Sequence, residues 1–235
     1  MIYVNKICID TSNYNLIIKE NDTYIIEIEN DANINISTKE NINGIINLFI
    51  KDSKINLDIK LDKNSNLIIN QLGINSSISS NINLLFNSNL RYSDSILSSV
   101  DSINKIKIIH KESESKCSLF ASGINLSNNK FYFEIDGVVP KNSLNIELDE
   151  NSKIINLSDG DSKIIPNLIV DNNEVIANHS AFIGTFTKED IWYLNSRGID
   201  EDDAKKLLFK SVLLGNMNCV EYDKFMNFIS FNEFN

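Results

Sequence analysis

Ile55-Asn56-Leu57-Asp58-Ile59-Lys60-Leu61 alternates apolar and polar residues without a break. Side chains of a strand point to opposite faces in turn, so this run carries an apolar row on one face and a polar row on the other. Ile34-Asn35-Ile36, Ile106-Lys107-Ile108 and Leu144-Asn145-Ile146-Glu147-Leu148 keep the same period. Polar clusters stand between such runs and are expected as turns: Glu29-Asn30-Asp31, Lys39-Glu40-Asn41, Asp62-Lys63-Asn64-Ser65 and Asp149-Glu150-Asn151-Ser152. Asn, Asp and Ser favour turns because their side chains bond the local backbone, and Asn and Asp accept left-handed geometry. Turns recurring about every ten residues predict many short strands, from the start of the chain to near Asn178.

A sandwich, a barrel and a β-solenoid all fit this pattern. No fixed-length repeat stands out, which speaks against a regular hexapeptide helix. The near absence of helical periodicity excludes an alternating α/β fold. Asn-rich turns suit stacked coils, where equivalent side chains ladder. The pattern alone leaves solenoid and sandwich open.

After Gly184 the period becomes helical. Thr187-Lys188-Glu189-Asp190 reads as a capping box leading into Ile191-Trp192-Tyr193-Leu194, and Gly198 is placed for a left-handed stop. Asp200 caps a second helix, with Ala204, Leu207, Leu208 and Ser211 giving a small apolar face and Gly215 closing it. A third helical stretch is expected from Val220 to Phe231. The expected organisation is therefore a β core over 1–180 and a helical unit over 181–235. Helices this short bury little alone, so they pack on the β part or dock another protein.

Charge excludes some partners. The net charge is -10, with 22 basic residues scattered among 32 acidic ones. Phosphate-rich ligands call for basic patches, so neither nucleic acid nor an anionic membrane surface is an expected partner. The N-terminus carries Asp10, Glu20 and Asp22 and lacks the pattern of a signal peptide, and no apolar run is long enough for a membrane helix. A cytoplasmic location is expected. Cys8, Cys117 and Cys219 are widely spaced and form no metal motif, so they read as reduced thiols.

Three segments carry a resemblance. His179-Ser180-Ala181-Phe182-Ile183-Gly184 is followed by Ile191-Trp192-Tyr193-Leu194-Asn195-Ser196-Arg197-Gly198-Ile199 and then Ala204-Lys205-Lys206-Leu207-Leu208. Together they resemble the C-terminal signature of the SufB/SufD family of iron–sulfur cluster assembly proteins. Pro166-Asn167-Leu168-Ile169-Val170 is similar to that family's Pro-x-Leu-x-Ile segment. His110, Ser113, Ser115, Gly123, Phe133 and Gly137 follow the order of its central region. The likeness runs from Ile108 to Leu214, and the chain is short for the family.

The resemblance implies a mainly β fold: a right-handed parallel β-helix with a small C-terminal helical domain. It also implies a SufD-like scaffold, pairing with a SufB-type protein or a second copy of itself and docking a SufC-type ABC ATPase. Trp192, Tyr193, Leu194, Arg197, Leu207 and Leu208 are the implied docking residues. No phosphate-binding loop of the Gly-x-x-x-x-Gly-Lys-Ser/Thr kind is present, so ATP hydrolysis belongs to the partner and this chain is not expected to be an enzyme.

His179 is the implied metal ligand or proton acceptor, sharing its site with a partner's cysteine and glutamate. His110 is a second candidate, structural or near the same interface. Thiolates dominate cluster ligation, so this chain is expected to hold no cofactor alone, at most a transient iron–sulfur cluster at the dimer interface. The SufD-like assignment rests on His179-Ser180-Ala181, which is closer to the His-Gly-Ala of SufD-type chains than to the Glu-His-Glu of SufB-type chains. Ala177 stands where many SufD-type chains carry a cysteine. Two readings compete: a SufB-like homodimeric scaffold of a minimal two-component system, and a structural β-solenoid. A carbohydrate-active enzyme is disfavoured because the acids fall mainly in turn clusters.

Overall fold

The alternating runs become strands, and each strand pairs in parallel with the one two places away in sequence. The computed structural model describes residues 4–217 and Phe228. The first strands are β1 (Val4–Ile9), β2 (Asn13–Ile18), β3 (Thr23–Ile28), β4 (Ala32–Thr38) and β5 (Asn43–Lys51). Next come β6 (Lys54–Leu61), β7 (Asn66–Ile74), β8 (Ser77–Leu84), β9 (Asn89–Ser98) and β10 (Ser102–His110). The last are β11 (Lys116–Asn125), β12 (Lys130–Val139), β13 (Ile146–Asn156), β14 (Asp161–Val170) and β15 (Val175–Gly184). Two helices follow, α1 (Lys188–Asn195) and α2 (Glu201–Leu214).

Odd-numbered strands form one sheet from β1 to β15, and even-numbered strands form a second from β14 to β2. Parallel pairs need a crossover, and here the crossover is simply the next strand, laid in the opposite sheet. The result is the parallel β-helix expected from the resemblance. Ile46, Leu48 and Ile50 of β5 meet Ile55, Leu57, Ile59 and Leu61 of β6 in one buried core between the sheets. The alternation that opens the sequence is thus the inward and outward alternation of a solenoid wall.

A regular step that the sequence did not reveal sets the central register. Asn43, Asn66 and Asn89 align across β5, β7 and β9, and the Asn66–Asn43 pair is 23 residues apart. Later coils are longer, with steps of 31 and 29 residues at Lys116–Glu147 and Asn178–Asp149. Repeated Ile and Asn are common throughout the chain, so the step carries no distinctive marker, and its length then changes.

Asparagine ladders lie along the stack as anticipated, on the strands as well as at the corners. Asn33 Nδ2 donates to Asn13 Oδ1 at 3.2 Å, and Asn56 Nδ2 donates to Asn33 Oδ1 at 2.8 Å. Asn70 Nδ2 donates to Asn47 Oδ1 at 2.9 Å within a buried row. One corner stacks left-handed residues Asn41, Asn64, Asn87, Glu114 and Asn145, with φ from 49 to 64 among all such non-glycine positions. Asn tolerates this region better than most residues.

One turn expectation is overturned. Asp149-Glu150-Asn151-Ser152 lies inside β13, because Leu148, Glu150, Ser152 and Ile154 continue the inward row. The corner falls earlier, at Asn145. Asp149 and Asn151 point outward and accept ladder bonds from Asn178 and Ser180 at 2.9 and 2.8 Å.

The helices start as read. The Thr187 side chain accepts from the Asp190 backbone, while the Asp190 carboxylate accepts from the Thr187 backbone. Asp200 caps α2 by accepting from Asp203 N–H at 2.9 Å, and Gly198 has φ 84. Seating differs from expectation: of Ala204, Leu207, Leu208 and Ser211, only Ala204 is fully buried. The helix instead docks by its C-terminal half, with Phe209, Val212 and Leu213 packed on Phe49, Leu72, Leu97 and Ile124 of the odd-numbered sheet. These three sit at i, i+3 and i+4, so they share one face. Ser95 donates to the Leu213 carbonyl, and Arg91 and Ser93 donate to the Asn216 carbonyl, satisfying acceptors that a helix end leaves open. The stretch from Val220 to Phe231 and Cys219 lie outside the described residues, apart from Phe228, which meets Phe49 edge-on with centroids 5.1 Å apart.

Candidate functional site

The last coil leaves two strands with neighbours on one side only, β14 and β15. Such edges present unpaired backbone donors and acceptors and invite a further strand. Ile165, Ile169 and Val170 of β14 are exposed beside Ile176, Phe182 and Ile183 of β15. This end of the solenoid is apolar and uncapped among the described residues.

His179 lies on β15 and is exposed. It aligns with Glu150 of β13, one strand inward. Both belong to the inward row, since Ala177, two residues before His179, packs against the interior core. Glu150 is only 2% exposed, and neither carboxylate oxygen has a hydrogen-bond partner. Burial, helped by Asp136, pushes its carboxyl up to about 7. Gly137 on the facing sheet makes room for it, because a Cβ there would fall 2.5 Å from Glu150 Oε1. Neighbouring strands lie about 4.8 Å apart, yet the Glu150 oxygens are enclosed by the core whereas His179 is exposed.

His110 does not join this site. It is fully buried at the end of β10, with Nδ1 2.8 Å from Ser115 Oγ and Nε2 without a partner. Burial lowers its imidazole to about 4, so it is neutral inside the core. The coil formed by β12 and β13 separates it from β15. Cys117 is buried too, and desolvation with nearby Glu150 and Asp149 pushes its thiol far upward, away from the thiolate that metals require. Cys8 is exposed on β1, at the opposite end of the stack. Among the described residues no group of three or more His, Cys, Asp or Glu side chains is placed to hold a metal ion.

The second candidate surface is the helix pair. Trp192 is 71% exposed and Tyr193 56%, while Leu194 is half-buried. Arg197 stacks over the Tyr193 ring, 5.2 Å from its centroid. On α2, Leu207 is exposed and Leu208 half-buried. A large aromatic exposed beside apolar neighbours is informative where a scattered surface leucine is not. Neither helix is long and apolar enough to cross a membrane.

Residues 96–212, about half of the chain, match the family described as "SUF system FeS cluster assembly, SufBD core domain". This chain belongs to the SufB/SufD family. A stretch of 65 residues is also 37% identical to an iron-sulfur cluster assembly SufBD family protein of Mycobacterium leprae (strain TN). That stretch covers 27% of this chain and 16% of the relative's length. The family core runs from the end of β9 to α2, so it contains both the open end and the helix pair.

One residue of the site escaped sequence reading. Glu150 was hidden in what looked like a turn cluster, although the inward alternation through Leu148, Ser152 and Ile154 was the signal that places it.

Proposed function

We propose that this chain is a SufD-like scaffold of the Suf iron–sulfur cluster assembly complex. Its open end pairs with the β-helix of a SufB-type protein, and its helix pair docks a SufC-type ABC ATPase. The observation that carries this reading is the position of His179, exposed on β15, the last strand of the odd-numbered sheet, whose outer edge has no neighbour among the described residues. A cluster or its iron is cargo in this scheme, held transiently between two chains. His179 supplies one ligand, and the partner supplies the thiolate that dominates such sites.

Trp192, Tyr193 and Leu207 are the exposed contacts proposed for the ATPase, with Leu194 and Leu208 backing them. Arg197 offers a planar fork for a carboxylate on that partner. ATP-driven movement of the docked subunits would be transmitted through α1 and α2 to the sheet on which α2 is seated. His110 is a core residue in this reading, with no part in ligation.

Co-expression with SufC-type and SufB-type proteins, followed by native mass measurement, tests the proposal. One copy of this chain, one SufB-type chain and two ATPases support it. Two copies of this chain with two ATPases and no SufB-type chain favour the homodimeric scaffold. Absence of any assembly overturns both.

A further inference from the structure

Beside the end of α2, part of the outer face of the odd-numbered sheet is left open among the described residues. Phe120, Asn151 and Ser180 form one row across β11, β13 and β15, and Ser122, Lys153 and Phe182 form the next. Residues two apart on a strand share a face, so the two rows make one surface. With Val212 of α2 they border a cleft of about 340 Å³. That size lies in the range of small-molecule sites, roughly 300–1,000 Å³.

The cleft offers donors that lack acceptors. Ser122 is only 4% exposed, yet its hydroxyl has no hydrogen-bond partner among the described residues. A buried hydroxyl in that position costs stability until something fills its valence. Lys153 makes no ion pair among those residues, and its ammonium lies 5.7 Å from the centroid of the Phe182 ring. Asn151 Oδ1 accepts from Ser180 Oγ at 2.8 Å, which leaves the Asn151 amide hydrogens uncommitted. Asp190, the carboxylate on which Lys153 acts through space, is already bonded by the Thr187 backbone and hydroxyl, each at 2.8 Å. The carbonyls at the end of α2 do not compete either, because Arg91, Ser93 and Ser95 donate to them. Arg91 also stacks on Phe120, 4.4 Å from its centroid, and so fixes that wall.

We propose that this cleft binds a small organic acid, whose carboxylate accepts from Lys153, Asn151 and Ser122 and whose flat apolar body lies against Phe120 and Phe182. A carboxylate suits three free donors of which one is charged, since charge-assisted hydrogen bonds are the stronger kind. Phenyl rings favour a planar group in stacked or edge contact. Inorganic phosphate would meet the donors but give the rings nothing. Trp192, Tyr193 and Leu207 do not line the cleft, so the proposal stands apart from ATPase docking.

Calorimetric titration of the full-length chain with cinnamate tests it, with cinnamamide as the neutral counterpart and inorganic phosphate as a competitor. One equivalent of cinnamate is expected to bind with a Kd below about 1 mM, and cinnamamide and phosphate about ten-fold more weakly or worse. Lys153→Met keeps the stem and removes the charge, and Ser122→Val fills the floor with an apolar group. Each is expected to weaken cinnamate about ten-fold or more. Circular dichroism melting checks the fold, and Lys153 is exposed, so its substitution leaves the core intact. Absence of saturable binding below about 1 mM, unchanged affinity in Lys153→Met or in folded Ser122→Val, or equal binding of cinnamamide overturns the proposal. Displacement of cinnamate by phosphate at matching concentration also overturns it, by marking a bare anion site.

Discussion

Gly137 and Glu150 face each other across the interior, and a Cβ at position 137 would lie 2.5 Å from the Glu150 carboxylate. The same Cβ would also lie 2.5 Å from Leu148 Cδ2. Gly137→Ala is therefore expected to destabilise the fold by about 1–3 kcal/mol, as overpacking does. Adding Glu150→Ala should recover part of that loss, a coupling of about 1 kcal/mol measurable by chemical denaturation of the four proteins. Strict additivity would mean that the two positions do not share space.

Stability should fall as pH rises through neutrality. Asp94 is fully buried between the sheets, bonded by Gln71 Nε2 at 2.7 Å, and burial raises its carboxyl from 3.8 to about 7. Glu150 is raised from 4.5 to about 7 in the same way. Folded chains then hold protons that unfolded chains release, so the stabilisation is full below the ordinary carboxylate range and is lost as pH climbs through about 7. Asp94→Asn should exceed wild type in stability by about 2 kcal/mol near pH 8, with the gap closing near pH 5. Thermal melts at both pH values check this, and a gap that does not change with pH would count against a neutral Asp94.

Glu114 occupies the left-handed corner that Asn41, Asn64, Asn87 and Asn145 also take, with φ 64. Glutamate tolerates that backbone region less well than asparagine does. Glu114→Asn keeps an acceptor for Asn145 Nδ2, now bonded at 2.7 Å, and should raise stability by about 0.5–1 kcal/mol. An unchanged or lower melting temperature would mean that the corner carries no strain.

The chain has one tryptophan, Trp192, and it stands on the proposed ATPase surface. Its fluorescence should shift to shorter wavelength as a SufC-type protein is titrated in. Leu207→Asp should abolish that shift without altering the chain's own melting, since Leu207 is 41% exposed. Phe209→Asp, by contrast, should cost about 3 kcal/mol or more by burying a charge in the helix seat. Normal ATPase binding by Leu207→Asp would remove the helix pair from the interface.

Much of this architecture was legible because a solenoid wall writes its geometry as alternation. Ile55 to Leu61 gives strand, face and core together, and Thr187 with Asp190 announces a helix start. The register was not legible, because a 23-residue step of common residues leaves no distinctive mark. Glu150 reads as a turn residue for a related reason: local composition favours a turn, but pairing with β11 and β15 on both sides holds it in a strand. The seated face of α2 is not legible either, because Phe209, Val212 and Leu213 answer to a hydrophobic row on the sheet, and that row is assembled from strands distant in sequence. His179 was found through the resemblance, and its neighbour through the fold.

Hydrogen–deuterium exchange of the chain, alone and in its purified assembly, tests the central claim most directly. The account predicts new protection concentrated on β14 and β15 and on α1 and α2, while β1, β2 and the other even-numbered strands from β4 to β10 exchange as before. Protection at β1 and β2 with unchanged exchange at β15 would contradict it, since the partner would then sit at the end of the solenoid opposite His179.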